Sequence, residues 1–213
     1  MAQKYLFSVF DVTKQVFYTT PLSIGIVNLK PLLPGHVLII PKRVVPRLSD
    51  LNPPEISDLF MTVQKVGKGL EKYYHAQALT ISLQDGASAG QSVPHVHVHI
   101  LPRHSTDFEG ENDRIYPLLE KNELHLREDL QVSRDRNGDQ ELESGEMIGG
   151  GKHHLNNGDG QISGNGNGLK SQTKIGHDWN PPLDEDRKPR SMEEMIKEAK
   201  AFEEFFKGFE MGQ

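Results

Sequence analysis

Cysteine is absent from the 213 residues of this chain, and its absence excludes several kinds of chemistry at once. Disulfides, thiolate nucleophiles, thiolate-bound zinc and iron–sulfur clusters all require a cysteine sulfur. Covalent or metal chemistry in this chain must therefore use histidine, carboxylate or hydroxyl groups. The chain has ten histidines, so the positions of these histidines are the first question.

Long apolar runs and an excess of basic residues are also lacking. The longest apolar run, at residues 37–40, is far shorter than the roughly 20 residues of a membrane-spanning helix. The N-terminal residues contain no apolar stretch that is typical of a signal peptide. The net charge of −6 argues against a general nucleic-acid binder, which needs basic groups against phosphates. We expect a protein of the cytoplasm, with the nucleus as a second location, that binds neither membranes nor nucleic acid.

Aromatic residues are missing between Pro117 and Asp178, where glycine is concentrated instead. Ten of the 20 glycines lie between Gly138 and Gly168. A segment without large apolar side chains cannot offset the entropy that an ordered backbone loses. We therefore predict three parts: a main domain at 1–126, a disordered Gly/Asn-rich insertion at 127–178 and a helical segment of the same domain at 179–213.

The main domain alternates strand patterns with turn signals and contains one helical pattern. Strands are predicted at 16–18, 24–29, 36–40, 79–83 and 93–101. A helix is predicted at 49–74, with Asn52 as its N-cap and Pro53 in its first turn. Short strands joined by tight turns favour antiparallel pairing. The predicted class is α+β, an antiparallel sheet meander with packed helices.

A capping box near the C-terminus predicts a further helix, because Ser191 is followed three residues later by Glu194. Apolar side chains then recur at helical spacing and form one stripe. The members of this stripe are Met192, Met195, Ile196, Ala199, Phe202, Phe206 and Phe209. We expect the stripe to dock on the core of the domain or on a dimer partner.

Three histidines alternate with valines in His95-Val96-His97-Val98-His99. On a strand, side chains two positions apart share one face, so the three imidazoles should line up on one side. Three buried imidazoles in a row would leave polar groups unsatisfied unless they form a site. This run is therefore the candidate functional site.

Two kinds of chemistry fit such a row of histidines. Two or three imidazoles can bind Zn²⁺ and leave a position open for water. Alternatively, the middle imidazole, that of His97, can attack phosphorus while its neighbours hold the oxygens. The glycine-rich turn at 86–92 favours phosphorus chemistry, because its backbone N–H groups can approach a phosphate. Neutral donors in or beside this turn are Gln84, Gln91 and Ser92. Asp85 is the only acidic residue close to the histidines in sequence, which leaves few carboxylates to orient metal ligands.

The run at 95–101 fits the pattern His-x-His-x-His-x-x, and there the chain resembles the histidine triad superfamily. Other segments resemble its fragile histidine triad (Fhit) branch, the dinucleoside polyphosphate hydrolases, including fungal-type dinucleoside triphosphate hydrolases. These segments are Val27-Asn28-Leu29-Lys30-Pro31, Pro34-Gly35-His36-Val37-Leu38, Gln84-Asp85-Gly86 and Ala89-Gly90-Gln91-Ser92-Val93. The resemblance covers about residues 4–120, resumes at Trp179 and leaves out the insertion.

The resemblance implies hydrolysis of diadenosine triphosphate to AMP and ADP in two steps. His97 would attack the α-phosphorus and carry a nucleotidyl group until water releases it. His95 would orient His97, with its main-chain carbonyl accepting the ring N–H. His99 and His36 would contact the phosphates and stabilise developing negative charge. The domain at 1–126 would then be the histidine triad catalytic domain.

The resemblance also implies substrate contacts, a cation and a partner. Asn28 would contact the ribose, and Tyr116 would lie in a flexible loop near the substrate. Phosphoryl oxygens would be held by Gln84, Gln91 and the backbone at Gly90, Gln91, Ser92 and Val93. Mg²⁺ or Mn²⁺ would be bound by the polyphosphate and not by protein ligands, and the protein would be a homodimer. Three alternatives stay open: a nucleotide-binding signalling module with incidental turnover, a nucleoside phosphoramidate hydrolase and a zinc-dependent hydrolase.

Overall fold

The computed structural model describes residues 3–136 and 187–211. Seven strands lie in this part of the chain: β1 (Leu6–Phe7), β2 (Phe10–Asp11), β3 (Val16–Thr19), β4 (Ser23–Val27), β5 (Val37–Pro41), β6 (Ala78–Ser82) and β7 (Val98–Arg103). Three α-helices accompany them: α1 (Pro53–Tyr74), α2 (Ile115–Arg136) and α3 (Met192–Met211). Among the described helices, none is both long and apolar enough to cross a membrane.

The strands form a small hairpin and one larger sheet. β1 pairs with β2, and the other five strands pair in the order β3-β4-β5-β7-β6, with every pair antiparallel. The predicted α+β class with antiparallel pairing is confirmed. The meander is limited to β3, β4 and β5, because α1 then carries the chain to the sheet edge, where β6 lies. β7 returns between β5 and β6 and is buried along its whole length.

Helix α1 begins with the predicted Asn52 cap, which is part of a capping box, and packs on the sheet. Asn52 Oδ1 accepts the N–H of Glu55, and Glu55 Oε2 accepts the N–H of Asn52. The helix begins at Pro53 and not at residue 49, because residues 48–50 form a separate 3₁₀ turn. Gly69 has no side chain, and the ring of Phe206 from α3 fills that space: a Cβ on Gly69 would lie 2.2 Å from the ring.

Helix α3 docks on the core of the domain, which was one of the two predicted outcomes for its apolar stripe. Met195, Ala199, Phe202 and Phe206 belong to the main core, and each is at most 3% exposed. The Ser191 capping box is present as predicted, with the N–H of Glu194 donating to Ser191 Oγ and the N–H of Ser191 donating to Glu194 Oε2. α3 is therefore part of the same unit as the sheet.

Helix α2 corrects two predictions. Residues 127–136 continue this helix, so the predicted start of a disordered insertion at 127 is wrong for those ten positions. Tyr116 lies in the first turn of α2 and not in a loop, with its side chain 60% exposed. The physical reason is burial of leucines: Leu126 and Leu130 of α2 pack in the main core, although the segment has no aromatic residue after Tyr116. Residues 137–178, the rest of the predicted insertion, and residues 179–186 lie outside the described residues.

Candidate active site

The three histidines do not lie on one regular strand. β7 begins at Val98, so His95 and His97 precede it. Pro94 has no N–H to donate to a sheet, and the N–H of His95 donates to Val93 O at 2.8 Å in a tight bend. The strand that was predicted at 93–101 therefore begins at residue 98, five positions later than predicted.

Both ring nitrogens of His95 form hydrogen bonds with main-chain groups. Its Nδ1 accepts the N–H of Ser8 at 2.9 Å, and its Nε2 lies 3.0 Å from Pro41 O, to which it donates. Burial lowers the pKa of His95 to about 4, so the ring is neutral. The prediction that all three imidazoles line up on one side is wrong for His95, because its ring is held by the N-terminal hairpin and the end of β5.

His97 is fixed by the main chain of His95 at one ring nitrogen. Its Nδ1 lies 2.7 Å from His95 O and donates its hydrogen there, which directs Nε2 into the site. His97 and His99 have ring centroids 5.2 Å apart, and neither side chain is exposed. This pair of Nε2 atoms is the chemical centre of the candidate site.

A carboxylate that the sequence analysis did not select lies between these two nitrogens. Glu123 Oε2 is 3.0 Å from His97 Nε2 and 3.3 Å from His99 Nε2, and Oε1 accepts the N–H of Ser92 at 3.0 Å. Burial raises the pKa of Glu123, but hydrogen bonds from the two histidines outweigh burial and lower it to about 2. Glu123 is therefore ionised and holds the position where an anion would bind.

Glu123 was missed because it lies 26 residues from His97 in the sequence. A signal for it is nevertheless present. Leu119, Glu123, Leu126 and Leu130 recur at helical spacing and therefore share one face of α2. A glutamate on an otherwise apolar helical face needs a polar partner inside the protein. Such a residue is a candidate for the site even without a recognisable motif.

The hydrogen-bond network determines which nitrogen of His99 carries a hydrogen. The N–H of Leu32 donates to His36 Nδ1 at 3.2 Å, so the neutral His36 ring has its hydrogen on Nε2. That hydrogen is donated to His99 Nδ1, 2.9 Å away, which leaves the hydrogen of His99 on Nε2. Burial, the largest effect for both rings, lowers the pKa of His36 and of His99, in agreement with neutral forms.

This tautomer bears on the choice between phosphorus and metal chemistry. One ligand atom each from His97, His99 and Glu123 lies within 4.8 Å of the other two, a spacing that a metal ion could occupy. A metal needs a lone pair on its histidine ligand, whereas His99 Nε2 carries a hydrogen. The arrangement suits a donor to an anionic oxygen better than a metal ligand.

Asn28 and His36 lie next to each other behind His99. Asn28 Nδ2 is 3.2 Å from His36 Nε2, but both atoms carry hydrogens in this tautomer, so the contact is not a hydrogen bond. Asn28 Oδ1 accepts the N–H of Lys30 at 2.9 Å. Two arginines before α3 support this region: Arg190 donates to Asn28 O, and Arg187 donates to the main-chain oxygens of Lys30 and Pro31. The structure thus places Asn28, His36 and His99 together.

The glycine-rich turn brings the remaining predicted residues to the same place, in different roles. Gly90 ends the turn with φ +95°, and Val93 is fully buried in the core. Gln91 braces the turn, since its Oε1 accepts the N–H of Gly86 and its Nε2 donates to Pro46 O and His95 O. Its side chain is therefore engaged within the protein and not directed at a ligand.

Gln84 and Asp85 differ in what they offer to a ligand. Gln84 Nε2 donates to Ser82 Oγ at 3.0 Å, while its Oε1 is buried without a hydrogen-bond partner among the described residues. Asp85 accepts from Arg47 and from the N–H of Leu48, and the hydrogen bond from Arg47 lowers its pKa. Asp85 thus binds the neighbouring loop, and Glu123 is the carboxylate at the histidines.

A cleft of about 450 Å³ lies between the glycine-rich turn and α2. This volume falls within the roughly 300–1,000 Å³ of small-molecule sites. Its lining includes Gln84, Gly90, Tyr116, Glu120 and Glu123. Because His36, His97 and His99 are at most 1% exposed, a ligand in the cleft reaches the histidines only if Glu123 moves.

Comparisons with known proteins identify the family and several relatives of this chain. The HIT domain family matches residues 9–106. A Schizosaccharomyces pombe protein named bis(5'-nucleosyl)-tetraphosphatase [asymmetrical] is 45% identical over 206 residues, which cover 97% of this chain and 96% of the relative. The Arabidopsis thaliana bifunctional bis(5'-adenosyl)-triphosphatase/adenylylsulfatase FHIT is 52% identical over 62% of this chain and 73% of its own. The Dictyostelium discoideum bis(5'-adenosyl)-triphosphatase is 50% identical over 50% of this chain and 71% of its own.

Proposed function

This chain belongs to the HIT domain family, and from that membership we propose that it hydrolyses dinucleoside polyphosphates. Diadenosine triphosphate would give AMP and ADP. The observation that carries the proposal is the arrangement around Glu123: His99 Nε2 and the N–H of Ser92 donate to its two carboxylate oxygens, and His97 Nε2 faces the same carboxylate. Donors that hold two carboxylate oxygens are equally suited to two phosphoryl oxygens. The names of the relatives support the substrate class.

In the proposed mechanism His97 is the nucleophile. With Nδ1–H bound to His95 O, neutral His97 has its lone pair on Nε2. Nε2 forms a bond to the α-phosphorus while the bond from that phosphorus to the bridging oxygen of the leaving ADP breaks. Water then attacks the same phosphorus, the P–N bond breaks, and AMP leaves. A covalent intermediate divides one difficult displacement into two easier ones.

His99 and His36 would act on the developing charge. His99 Nε2–H points to the place of the phosphoryl oxygens and would donate to them as their negative charge grows. His36 donates to His99 Nδ1 and so keeps that hydrogen on the correct side of the ring. Gln84, Asn28, Tyr116 and the backbone at 90–93 complete the proposed substrate contacts.

We assign the divalent cation to the substrate. Mg²⁺ and Mn²⁺ prefer oxygen ligands, and among the described residues Glu123 is the one carboxylate that contacts His97 and His99. A polyphosphate offers many more oxygens, so the cation would be carried by the phosphates. Its contribution when bound is to neutralise phosphate charge.

A homodimer is part of the same proposal. β6 lies at an edge of the sheet and has Ile81 49% exposed, and α1 exposes Phe60 and Met61 at 44% and 68%. An open strand edge and exposed apolar side chains are features that a second copy can cover. Light scattering should give twice the chain mass, and Ile81→Arg should shift it toward one chain. We also propose the cytoplasm as the location, with the nucleus as a second.

Turnover of a substrate panel tests the proposed activity. The panel contains diadenosine triphosphate, diadenosine tetraphosphate and an adenosine phosphoramidate, each assayed with Mg²⁺ and with products identified by chromatography. Faster hydrolysis of a dinucleotide, with AMP among the products, is expected. A clear preference for the phosphoramidate would assign the chain to nucleoside phosphoramidate hydrolysis. Tight nucleotide binding with turnover below about one per hour would instead support a binding module, because enzymes typically reach 1–10³ s⁻¹.

A further inference from the structure

Glu123 closes the candidate site from α2. We propose that α2 is an autoinhibitory strap, in which the Glu123 carboxylate occupies the place of a substrate phosphoryl group and must leave before substrate can bind. This inference rests on the proposed function, since it identifies what Glu123 excludes. Three contacts carry it: His97 Nε2 at 3.0 Å, His99 Nε2 at 3.3 Å and the N–H of Ser92 at 3.0 Å.

The contact disables the nucleophile chemically as well as sterically. A carboxylate only accepts hydrogen bonds, so the 3.0 Å contact with Glu123 requires a hydrogen on His97 Nε2. Nδ1 of the same ring donates to His95 O, so His97 carries hydrogens on both nitrogens in this state. An imidazolium has no lone pair with which to attack phosphorus. Release of Glu123 exposes His97. It also removes the acceptor that stabilises the hydrogen on His97 Nε2, so this nitrogen can lose its proton.

Several interactions hold α2 in the closed position. Ser92 Oγ donates to the main-chain oxygen of Glu123, so Ser92 binds this residue twice. Asn122 Nδ2 donates to Lys30 O at 3.0 Å, and Asp129 pairs with Lys30 at 3.6 Å. Leu126 is 2% exposed and anchors the middle of the helix. The strap is therefore built into the fold at positions on both sides of Glu123.

The closed state can still be displaced by the proposed substrate. Burying an ion pair costs desolvation that largely offsets its attraction, so such a pair contributes little net stability. A polyphosphate brings several anionic oxygens to the same donors. Substrate binding is then reduced by the fraction of molecules that are closed at any time. Weakening the strap should raise apparent affinity without any change in the catalytic groups.

The test compares Glu123→Ala with Glu128→Ala, which removes an exposed carboxylate from the same helix. The first readout needs no substrate: the rate at which diethyl pyrocarbonate modifies His97, mapped by mass spectrometry. The reagent needs an accessible, unprotonated imidazole. The rate should rise at least about five-fold in Glu123→Ala and stay at the wild-type value in Glu128→Ala. Equal His97 rates in wild type and Glu123→Ala would overturn the strap.

The second readout is kcat/KM for diadenosine triphosphate. It should rise about five-fold or more in Glu123→Ala, whereas a fall would overturn the strap and make Glu123 a participant in the reaction. Asp129→Asn loosens the Lys30 anchor without touching the histidines, and it should raise both readouts by a smaller factor. This variant carries the test if Glu123→Ala fails to fold. Faster His97 modification without turnover of any dinucleotide would support the strap and reject the proposed activity.

Discussion

Glu123 Oε2 lies 3.0 Å from Nε2 of His97, across 26 residues of sequence. The nitrogen proposed to attack phosphorus is thus bound to an anion that the protein itself supplies.

Replacing His97 tests the covalent mechanism. His97→Asn removes the nucleophilic Nε2 but keeps an amide that can replace the Nδ1 hydrogen bond to His95 O, so turnover of diadenosine triphosphate should fall by at least about 1,000-fold. AMP affinity measured by calorimetry should change by less than about ten-fold, because the other phosphate donors remain. Wild-type protein that is acid-quenched during turnover should carry an adenylyl group on His97. Exposed His125 provides the control, and His125→Asn should retain activity.

Metal content tests the tautomer of His99. Because His99 Nε2 carries a hydrogen, we expect less than about 0.1 zinc per chain after dialysis against chelator, measured by elemental analysis. Activity should return with Mg²⁺ or Mn²⁺ alone. One tightly bound zinc per chain, together with loss of activity when it is removed, would reverse the assignment and favour a zinc-dependent hydrolase.

Stability should fall in mild acid because neutral histidines are buried. The pKa of His95 is about 4 in the folded chain and 6.5 in the unfolded one, so the unfolded state binds more protons between these values. Stability is therefore complete above pH 6.5 and decreases as the pH falls toward 4. From pH 7 to 5 we expect a loss on the order of 2 kcal/mol in urea unfolding. His95→Gln should reduce this pH dependence, and His125→Gln should preserve it.

The Glu55→Ala variant tests how much the N-terminal cap of α1 contributes to stability. The Glu55 carboxylate accepts a hydrogen bond from the N–H of Asn52. It also accepts two hydrogen bonds from Arg43, one from Nε at 2.8 Å and one from a terminal nitrogen at 2.6 Å. Glu55→Ala removes the capping box and this paired contact, and should lower the free energy of unfolding by about 1–2 kcal/mol. Glu111 makes only a 3.9 Å exposed ion pair with Arg114, so Glu111→Ala should change stability by less than about 0.5 kcal/mol. Similar losses in both variants would contradict the role of Glu55.

Short runs of neighbouring residues were enough to predict those strands and helix ends whose signals lie within a few consecutive positions. The buried run of β5, the Asn52 cap of α1 and the capping box of α3 are each visible in consecutive residues, and the structure has them. The prediction of a strand through His95 was wrong because Pro94 cannot donate a hydrogen bond to the sheet. The regular alternation of histidines carried more weight in that prediction than this proline did. The type of an element was thus predicted correctly where all neighbouring residues favoured the same structure. The prediction was wrong where one residue, Pro94, favoured another.

The site was only partly predictable, for a physical reason. Asn28, His36 and His99 were selected from the sequence because each belongs to a motif that can be read in a few residues. Glu123 belongs to none, and its role depends on how α2 packs over the glycine-rich turn. Packing between distant segments is not encoded in local spacing. A lone charged residue on an apolar helical face remains the most useful sequence signal for such a contact.

The ring of His95 joins two distant parts of the chain, Ser8 in the N-terminal hairpin and Pro41 at the end of β5. The carbonyl of the same residue holds His97 Nδ1 and so directs the reacting nitrogen. The orientation of that nitrogen therefore depends in part on the backbone N–H of Ser8, which lies 87 residues before His95. A substitution in the short hairpin that opens the domain can therefore misdirect the proposed nucleophile from a distance, although the hairpin supplies no reacting group.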